Sequence, residues 1–194
     1  MLDVSFFATL IATISLGGCL VVSILRPTLR IWPPPGRNSW QYRLVWTLTG
    51  LCAVGIAAVG VLDWNTFSFS HWSRIPVGAI LMVGGLAFAM WGVRVLGVHA
   101  TSGLKHLLVE AGPYRLTRNP QYVGDIVLLL GWGILANSLR AWVLCIPAMA
   151  WFALTPFTEE PWLRKQYGEA YDAYCQRVPR FLGRPHGVRQ QNRP

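Results

Sequence analysis

Acidic side chains are scarce here: 8 Asp and Glu stand against 17 Lys and Arg, and charged residues of both signs make up only 13% of the 194. So few charges beside 53% hydrophobic residues and ten tryptophans exclude an ordinary soluble globule, which at this size has too little interior to hide that much apolar surface. Cysteine and histidine are also few, four of each. No CxxC pair occurs and no cysteine stands at zinc spacing from a histidine, so neither a metal site nor a disulfide framework is expected. Cys19, Cys52 and Cys145 fall inside apolar runs and read as small buried hydrophobes, while Cys175 lies in a polar C-terminal segment. A GxGxxG turn between a strand and a helix is missing, which removes a Rossmann-type cofactor site. The net charge of +9 is spread through loops, not gathered on one polar face with interleaved aromatics, so nucleic acid is not an expected partner.

Long apolar runs are what the sequence does contain. Five read as transmembrane helices: Val4 to Leu25, about Tyr42 to Leu62, about Ile75 to Val98, about Tyr122 to Asn137 and about Ala141 to Phe157. The first is uncharged and would be roughly 33 Å long as a helix, enough to cross the hydrocarbon core. It lacks the basic start and small-residue cleavage site of a signal peptide. The fourth and fifth are short and form a hairpin at Asn137–Arg140, which implies tilt or shielding by the other helices. The expected fold is an all-α integral membrane protein of about five transmembrane helices plus an amphipathic C-terminal cytoplasmic helix.

Loop charges orient the spans. Arg26, Arg30, Arg37 and Arg43 occupy the first loop, Lys105, Arg115 and Arg118 the third, and a run of arginines follows Phe157; the second loop and the hairpin have one basic residue each, Arg74 and Arg140. The positive-inside rule then puts the N-terminus outside and the C-terminus in the cytoplasm, in a plasma or inner membrane. Glycines at 50, 55, 60, 78, 84 and 85 read as points of close helix packing, and WPPPG at Trp32–Gly36 as a stiff spacer.

After Phe157 the pattern changes. Leu163, Tyr167, Ala170, Tyr171 and Tyr174 share one helical face, with Thr158 as a candidate cap and Pro161 in the first turn. Residues 183–194 are polar and basic, and disorder is expected there. Three segments are expected within one membrane domain: three N-terminal helices over 1–98, a cofactor-binding core over 99–182, and the tail from 183.

All the unusual polar residues fall on the cytoplasmic side of this plan. Glu159 and Glu160 leave the apolar run directly; paired acids at a membrane boundary are costly unless matched, and Arg118 or Arg115 can match them. Asp125 and Arg94 lie within spans, where each can pair with the other or reach towards the interface. The turn between them is GPYRLTRNPQYVG, with two prolines, two arginines, two tyrosines and an asparagine where a plain connector needs none.

HLLVEAGPYRLTRNPQYVG, a hydrophobic hairpin, the Glu159–Glu160 pair and YGEAYDAYCQRVPRF together resemble the isoprenylcysteine carboxyl methyltransferase-like family, which is related to the membrane phospholipid N-methyltransferases. The resemblance runs from about Leu96 to Phe181. It implies an S-adenosylmethionine-dependent methyltransferase without a Rossmann fold, acting on a lipid-like or small hydrophobic acceptor (a carboxylate, amine or thiol) that enters from the bilayer, with no metal and no nucleic acid. By position, it implies that His106, Leu108 and Val109 line the adenosine side, and that Gly112, Tyr114, Arg118, Asn119, Pro120 and Tyr122 shape the central pocket. Glu159 and Glu160 would face the ribose or the methionine ammonium, and with Arg118 would be the catalytic set. The family commonly has histidine where Asn119 stands; asparagine keeps a hydrogen-bonding side chain but does not titrate. Two other readings share these features: a sterol C14-type reductase using a nicotinamide cofactor, and a non-catalytic membrane subunit that binds a lipid or ligand.

Overall fold

A computed structural model of the chain describes residues 1–67, 71–105 and 107–183. Among them the regular structure is all helical: α1 (Leu2–Leu25), α2 (Trp40–Leu62), α3 (Arg74–Leu96), a single turn α4 (Val98–Thr101), a 3₁₀ turn at Gly112–Arg115, α5 (Pro120–Ala136), α6 (Leu139–Tyr167) and α7 (Glu169–Arg177). Four of these, α1, α2, α3 and α6, are long and apolar enough to cross a membrane; α5 is a shorter apolar helix. All five expected apolar runs are therefore observed as helices, four of them long enough to span, with ends shifted by a few residues except at α6.

Each span is apolar all round, as a helix between lipid and protein must be. On α1 the inward face carries Thr9, Ala12, Thr13, Leu16 and Leu20, spaced by three and four, while Val4, Phe7, Ile11 and Ile14 stand exposed on the other side. The threonines enter the apolar interior without an unsatisfied hydroxyl, because Thr9 and Thr13 donate to the carbonyls of Ser5 and Thr9 one turn back.

The tightest packing is between α3 and α5, which run antiparallel through paired glycines. A Cβ on Gly85 would lie 2.5 Å from Leu128 N, one on Gly124 would lie 2.5 Å from Ala89 N, and one on Gly131 would lie 2.5 Å from Met82 N. Here backbone touches backbone, which only the absence of side chains allows. Of the glycines expected at close contacts, 55, 60, 78 and 85 are so placed, Gly55 against Thr9 and Gly60 against Trp132. Gly50 and Gly84 are not, since a side chain at either would meet open space.

The end of α6 corrects the sequence reading. The helix does not stop near Phe157 to let a new one begin at Thr158; it continues through Pro156 and Pro161 to Tyr167. Each proline removes one backbone donor, a local loss that a well-packed helix survives. Thr158 is no cap, for its hydroxyl donates to the Thr155 carbonyl inside the helix. The break falls at Gly168, whose φ of +56° a side chain would disfavour. The short α7 then folds back, burying Tyr171, Tyr174 and Val178 against Leu108, Leu163 and Tyr167; Ala170, assigned to the same face, is exposed.

The two ends of the bundle differ. At one, Asn137 donates to Asn65 Oδ1 and to the Phe67 carbonyl, both at 2.8 Å, Ser138 caps α6 and donates to Asp63 at 2.6 Å, and Arg140 pairs with Asp3 at 3.0 Å. These contacts tie loops together. At the other end the 26–39 loop, the 97–119 segment, the C-terminal turns of α6 and α7 converge. Residues 184–194, which hold nearly all of the tail expected to be disordered, lie outside the described residues.

Candidate functional site

Glu159 and Glu160 are adjacent in α6 and face different surroundings. Glu159 accepts a hydrogen bond from Trp32 Nε1 at 2.8 Å and one from the Tyr122 hydroxyl at 2.5 Å. It lines a small polar cavity of about 80 Å³ together with Leu108, Val109, Tyr114, Arg118, Asn119 and Tyr122. Glu160 is 3% exposed and is held by arginines: Arg180 grips it in a fork, Nε to Oε1 and Nη2 to Oε2 at 2.7 Å each, and Arg118 Nη2 lies 3.0 Å from Oε1. Fork-to-carboxylate pairing is the strongest form of this contact and compensates the burial of the charge. Arg118 thus matches the acid pair, as the sequence allows; Arg115 is exposed. The Nε of Arg118 is buried with no hydrogen-bond partner.

The TRN of the turn is explained by what it holds. Arg118 N donates to the Pro179 carbonyl at 2.9 Å, while the Thr117 hydroxyl and Asn119 Nδ2 both donate to the Arg180 carbonyl at 2.9 Å. Three consecutive residues therefore latch the strand leaving α7, and that strand delivers Arg180 to Glu160. Asparagine serves this as an amide donor, with no proton to exchange. Pro120 begins α5, fully buried and packed by Gly92, where its fixed φ suits the first helical turn. Gly112 opens the 3₁₀ turn at φ +57° beside Val95. That turn sets Tyr114, whose backbone carbonyl receives the Tyr174 hydroxyl at 2.8 Å. Burial pushes the phenols of Tyr114, Tyr171 and Tyr174 above their ordinary range, so all three stay protonated.

Of the residues singled out in the sequence, Leu108, Val109, Tyr114, Arg118, Asn119, Tyr122 and Glu159 line the polar cavity. Gly112 and Pro120 are not among its lining residues, and Glu160 opens instead on a neighbouring surface cleft with Arg164, Cys175 and Arg180. His106 lies outside the described residues. Asp125 and Arg94 form no ion pair with each other. Sequence reasoning missed Trp32, taken as part of a spacer: it is 5% exposed, its backbone N–H is bound by the Ser23 hydroxyl, and its indole reaches Glu159 across 127 positions. It also missed Arg180, Trp162, Tyr171 and Tyr174 as site residues. A tryptophan leading a run of prolines, with an indole N–H that needs a partner when buried, was the one available signal.

Comparison with known proteins bears on this geometry. Cobalt-zinc-cadmium resistance protein CzcN of Cupriavidus metallidurans is 29% identical over 130 residues, 64% of this chain and 59% of that protein. Protein-S-isoprenylcysteine O-methyltransferase B of Arabidopsis thaliana is 28% identical over 116 residues, 56% of this chain and 59% of that protein. Delta(14)-sterol reductase LBR of Gallus gallus is 34% identical over 86 residues, but these are only 13% of its length. The chain thus matches less than two thirds of each of these relatives. No solved structure matches it. The family model described as phospholipid methyltransferase matches residues 73–170, which run from the start of α3 into α7 and include the α3–α5 contact, the TRN residues and both glutamates. On that match, spanning half of its length, the protein belongs to the phospholipid methyltransferase family.

Proposed function

We propose that this protein is an integral-membrane methyltransferase that uses S-adenosylmethionine and methylates a lipid-like or small hydrophobic acceptor. The observation that carries the reading is Glu159, a carboxylate held by Trp32 and Tyr122 at the edge of a polar cavity within the matched region. The donor set fits such a ligand. A carboxylate and tyrosine faces suit its sulfonium and ammonium, the orphaned Nε of Arg118 suits its carboxylate, and Leu108, Val109 and Leu163 offer an apolar face for the adenine. When bound, it supplies an electrophilic methyl: the acceptor's lone pair bonds to that carbon while the carbon–sulfur pair stays on sulfur.

The chain's own residues bind, align and exclude water, which is where in-line displacement draws much of its rate. Glu159 is the anchor, Arg118 the carboxylate clamp, and Glu160 positions Arg118 and Arg180. Residues 99–182 form the cofactor-binding core, with Trp32 reaching in from the first loop. The cavity, at about 80 Å³, is smaller than the roughly 300–1,000 Å³ of typical ligand sites. Admission of the donor therefore needs the cavity to widen. We read this end as the cytoplasmic one, because its loops are rich in arginine and the positive-inside rule favours that side.

Calorimetric titration of the purified protein with S-adenosylmethionine and, side by side, with NADPH tests the proposal. Binding of the first alone is expected, and Glu159→Gln should weaken it by about 1–3 kcal/mol, the scale of a charge-assisted hydrogen bond. Binding of NADPH alone, or of neither, overturns it.

A further inference from the structure

Two cavities lie apart from the polar one. The first, of about 440 Å³ among α1, α2, α5 and α6, is lined mostly by apolar side chains, with Asp125 the one carboxylate on its wall. The second, of about 630 Å³, is a groove where α3 begins, α5 ends and α6 begins, at the far end of the bundle from Glu159. Arg74 lines this groove and Leu96, at the other end of α3, lines the polar cavity, so the two sites are roughly 33 Å apart at the helical rise.

Val77, Ile134 and Trp142 give the groove apolar walls, Arg74 brings a positive charge, and no acid lines it. Among the described residues Arg74 forms no ion pair: Nη1 donates to the Leu135 carbonyl at 2.6 Å, and the guanidinium lies 5.7 Å from the Trp64 ring centroid. The acids at this end are engaged elsewhere, Asp3 with Arg140 and Asp63 with the hydroxyls of Thr66 and Ser138. α3 starts at Arg74 with no acidic residue in its first turn, so the positive end of its dipole adds to the guanidinium. The carbonyls that end α5 offset little of this, since Gly133, Leu135 and Ala136 already accept from Asn137, Arg74 and Asn65.

His71 and Ser73 also line the groove. The Ser73 backbone N–H donates to His71 Nδ1 at 3.3 Å, and the Ser73 hydroxyl lies 2.7 Å from the same nitrogen. Nδ1 is therefore the acceptor of the ring, which leaves Nε2 as an N–H donor.

We propose that this groove binds one anionic phospholipid, with its phosphate on Arg74 and His71 and an acyl chain along Val77, Ile134 and Trp142. The lipid is a resident of the fold and not a methyl acceptor, because it lies at the far end from Glu159. Chains gain nothing by leaving bilayer for an apolar groove, so the headgroup decides which lipid stays. A guanidinium matches phosphate oxygens in paired hydrogen bonds. Phosphatidylcholine carries a cation of its own into a site that already has one in excess, whereas a headgroup of net negative charge supplies the missing counter-charge.

Photo-crosslinking tests the proposal. The protein in nanodiscs of phosphatidylcholine receives a trace of phosphatidylglycerol, or of phosphatidylcholine, carrying a diazirine on one acyl chain; after irradiation the labelled peptides are mapped by mass spectrometry. Labelling around Val77, Ile134 and Trp142 should be at least about fivefold higher from the phosphatidylglycerol probe, the scale of one arginine facing an anionic lipid. Unlabelled phosphatidylglycerol should suppress it and inorganic phosphate should not. Arg74→Gln, which keeps a donor for the Leu135 carbonyl, should bring labelling down to the phosphatidylcholine level, while Arg140→Gln, at the same end but paired with Asp3, should leave it unchanged. Equal labelling by the two probes means ordinary annular lipid and overturns the proposal. Suppression by inorganic phosphate, or undiminished labelling of Arg74→Gln, overturns it as well. The comparison of the two probes on the wild type decides alone if the glutamine variant does not fold. No methyl donor enters this experiment, so its outcome and that of the donor titration are independent.

Discussion

Successive residues on a helix point about 100° apart, and that rotation gives Glu159 and Glu160 separate tasks. Glu160 lies in a nest of arginines, with its side chain 4% exposed and that of Arg118 10% exposed. Removing its charge leaves those cations facing each other in a dry place, so Glu160→Gln should destabilise the protein by about 3 kcal/mol, seen as a lower melting temperature in detergent. Glu159→Gln keeps its two donors partly satisfied through the amide oxygen. Its melting temperature should stay within a degree or two of wild type while donor affinity falls. Equal melting losses in both variants would show that the two glutamates share one structural role. Arg118 sits between them, with Nη2 committed to Glu160 and Nε free. Lysine preserves the charge on Glu160 but has no second donor in a planar fork. Arg118→Lys is therefore expected to lower S-adenosylmethionine affinity about tenfold, or roughly 1.4 kcal/mol, with little change in melting. Normal affinity in that variant would reduce Arg118 to a counter-ion.

Helix pairs in lipid gain nothing from water exclusion and depend on close contact. α3 and α5 achieve it through Gly78, Gly85, Gly124 and Gly131, spaced by seven on each helix so that all four lie on one seam. Gly85→Leu should force the backbones apart and displace Tyr122 and Asp125 on α5 together. The expected outcome is loss of monodisperse protein by size-exclusion chromatography, with Gly84→Leu, which meets open space, as the tolerated neighbour. Poor behaviour of both variants would argue against this seam. A weaker joint is the strand after α7, latched by Thr117 and Asn119 to one carbonyl of Arg180. Asn119→Ala should speed proteolysis after Arg177, whereas Asn119→His, which can still donate, should not.

Taken as a bundle, the molecule has a polar, arginine-rich end that holds both glutamates and a smaller end tied by Asn137, Ser138 and Arg140. Thr66 lies at the second end and Lys105 at the first, both exposed. In a cysteine-free background, Thr66→Cys and Lys105→Cys should label from opposite sides of the membrane, Lys105→Cys from the cytoplasmic side. Labelling of both from one side would remove the membrane-spanning arrangement, and reversal of the sides would remove the cytoplasmic site.

Hydropathy and loop charge are local properties, carried by each segment wherever it finally packs. They were therefore legible as five spans with bounds close to those observed, and the matched motifs pointed to Arg118, Tyr122 and Glu159 before any contact was known. A helix beyond Phe157 was legible, but its continuity with the last span was not, because Pro156 and Pro161 are local signals for a break. Nor was the division of labour between the glutamates, which depends on which side of α6 each neighbour approaches. Trp32 and Glu159 meet across 127 residues, a pairing that no window on the chain contains. The local sequence settled which segments enter the membrane and which chemistry stands at its edge; tertiary packing alone decided which carboxylate faces a cavity, which is locked by arginine, and that Asp125 is left facing an apolar space.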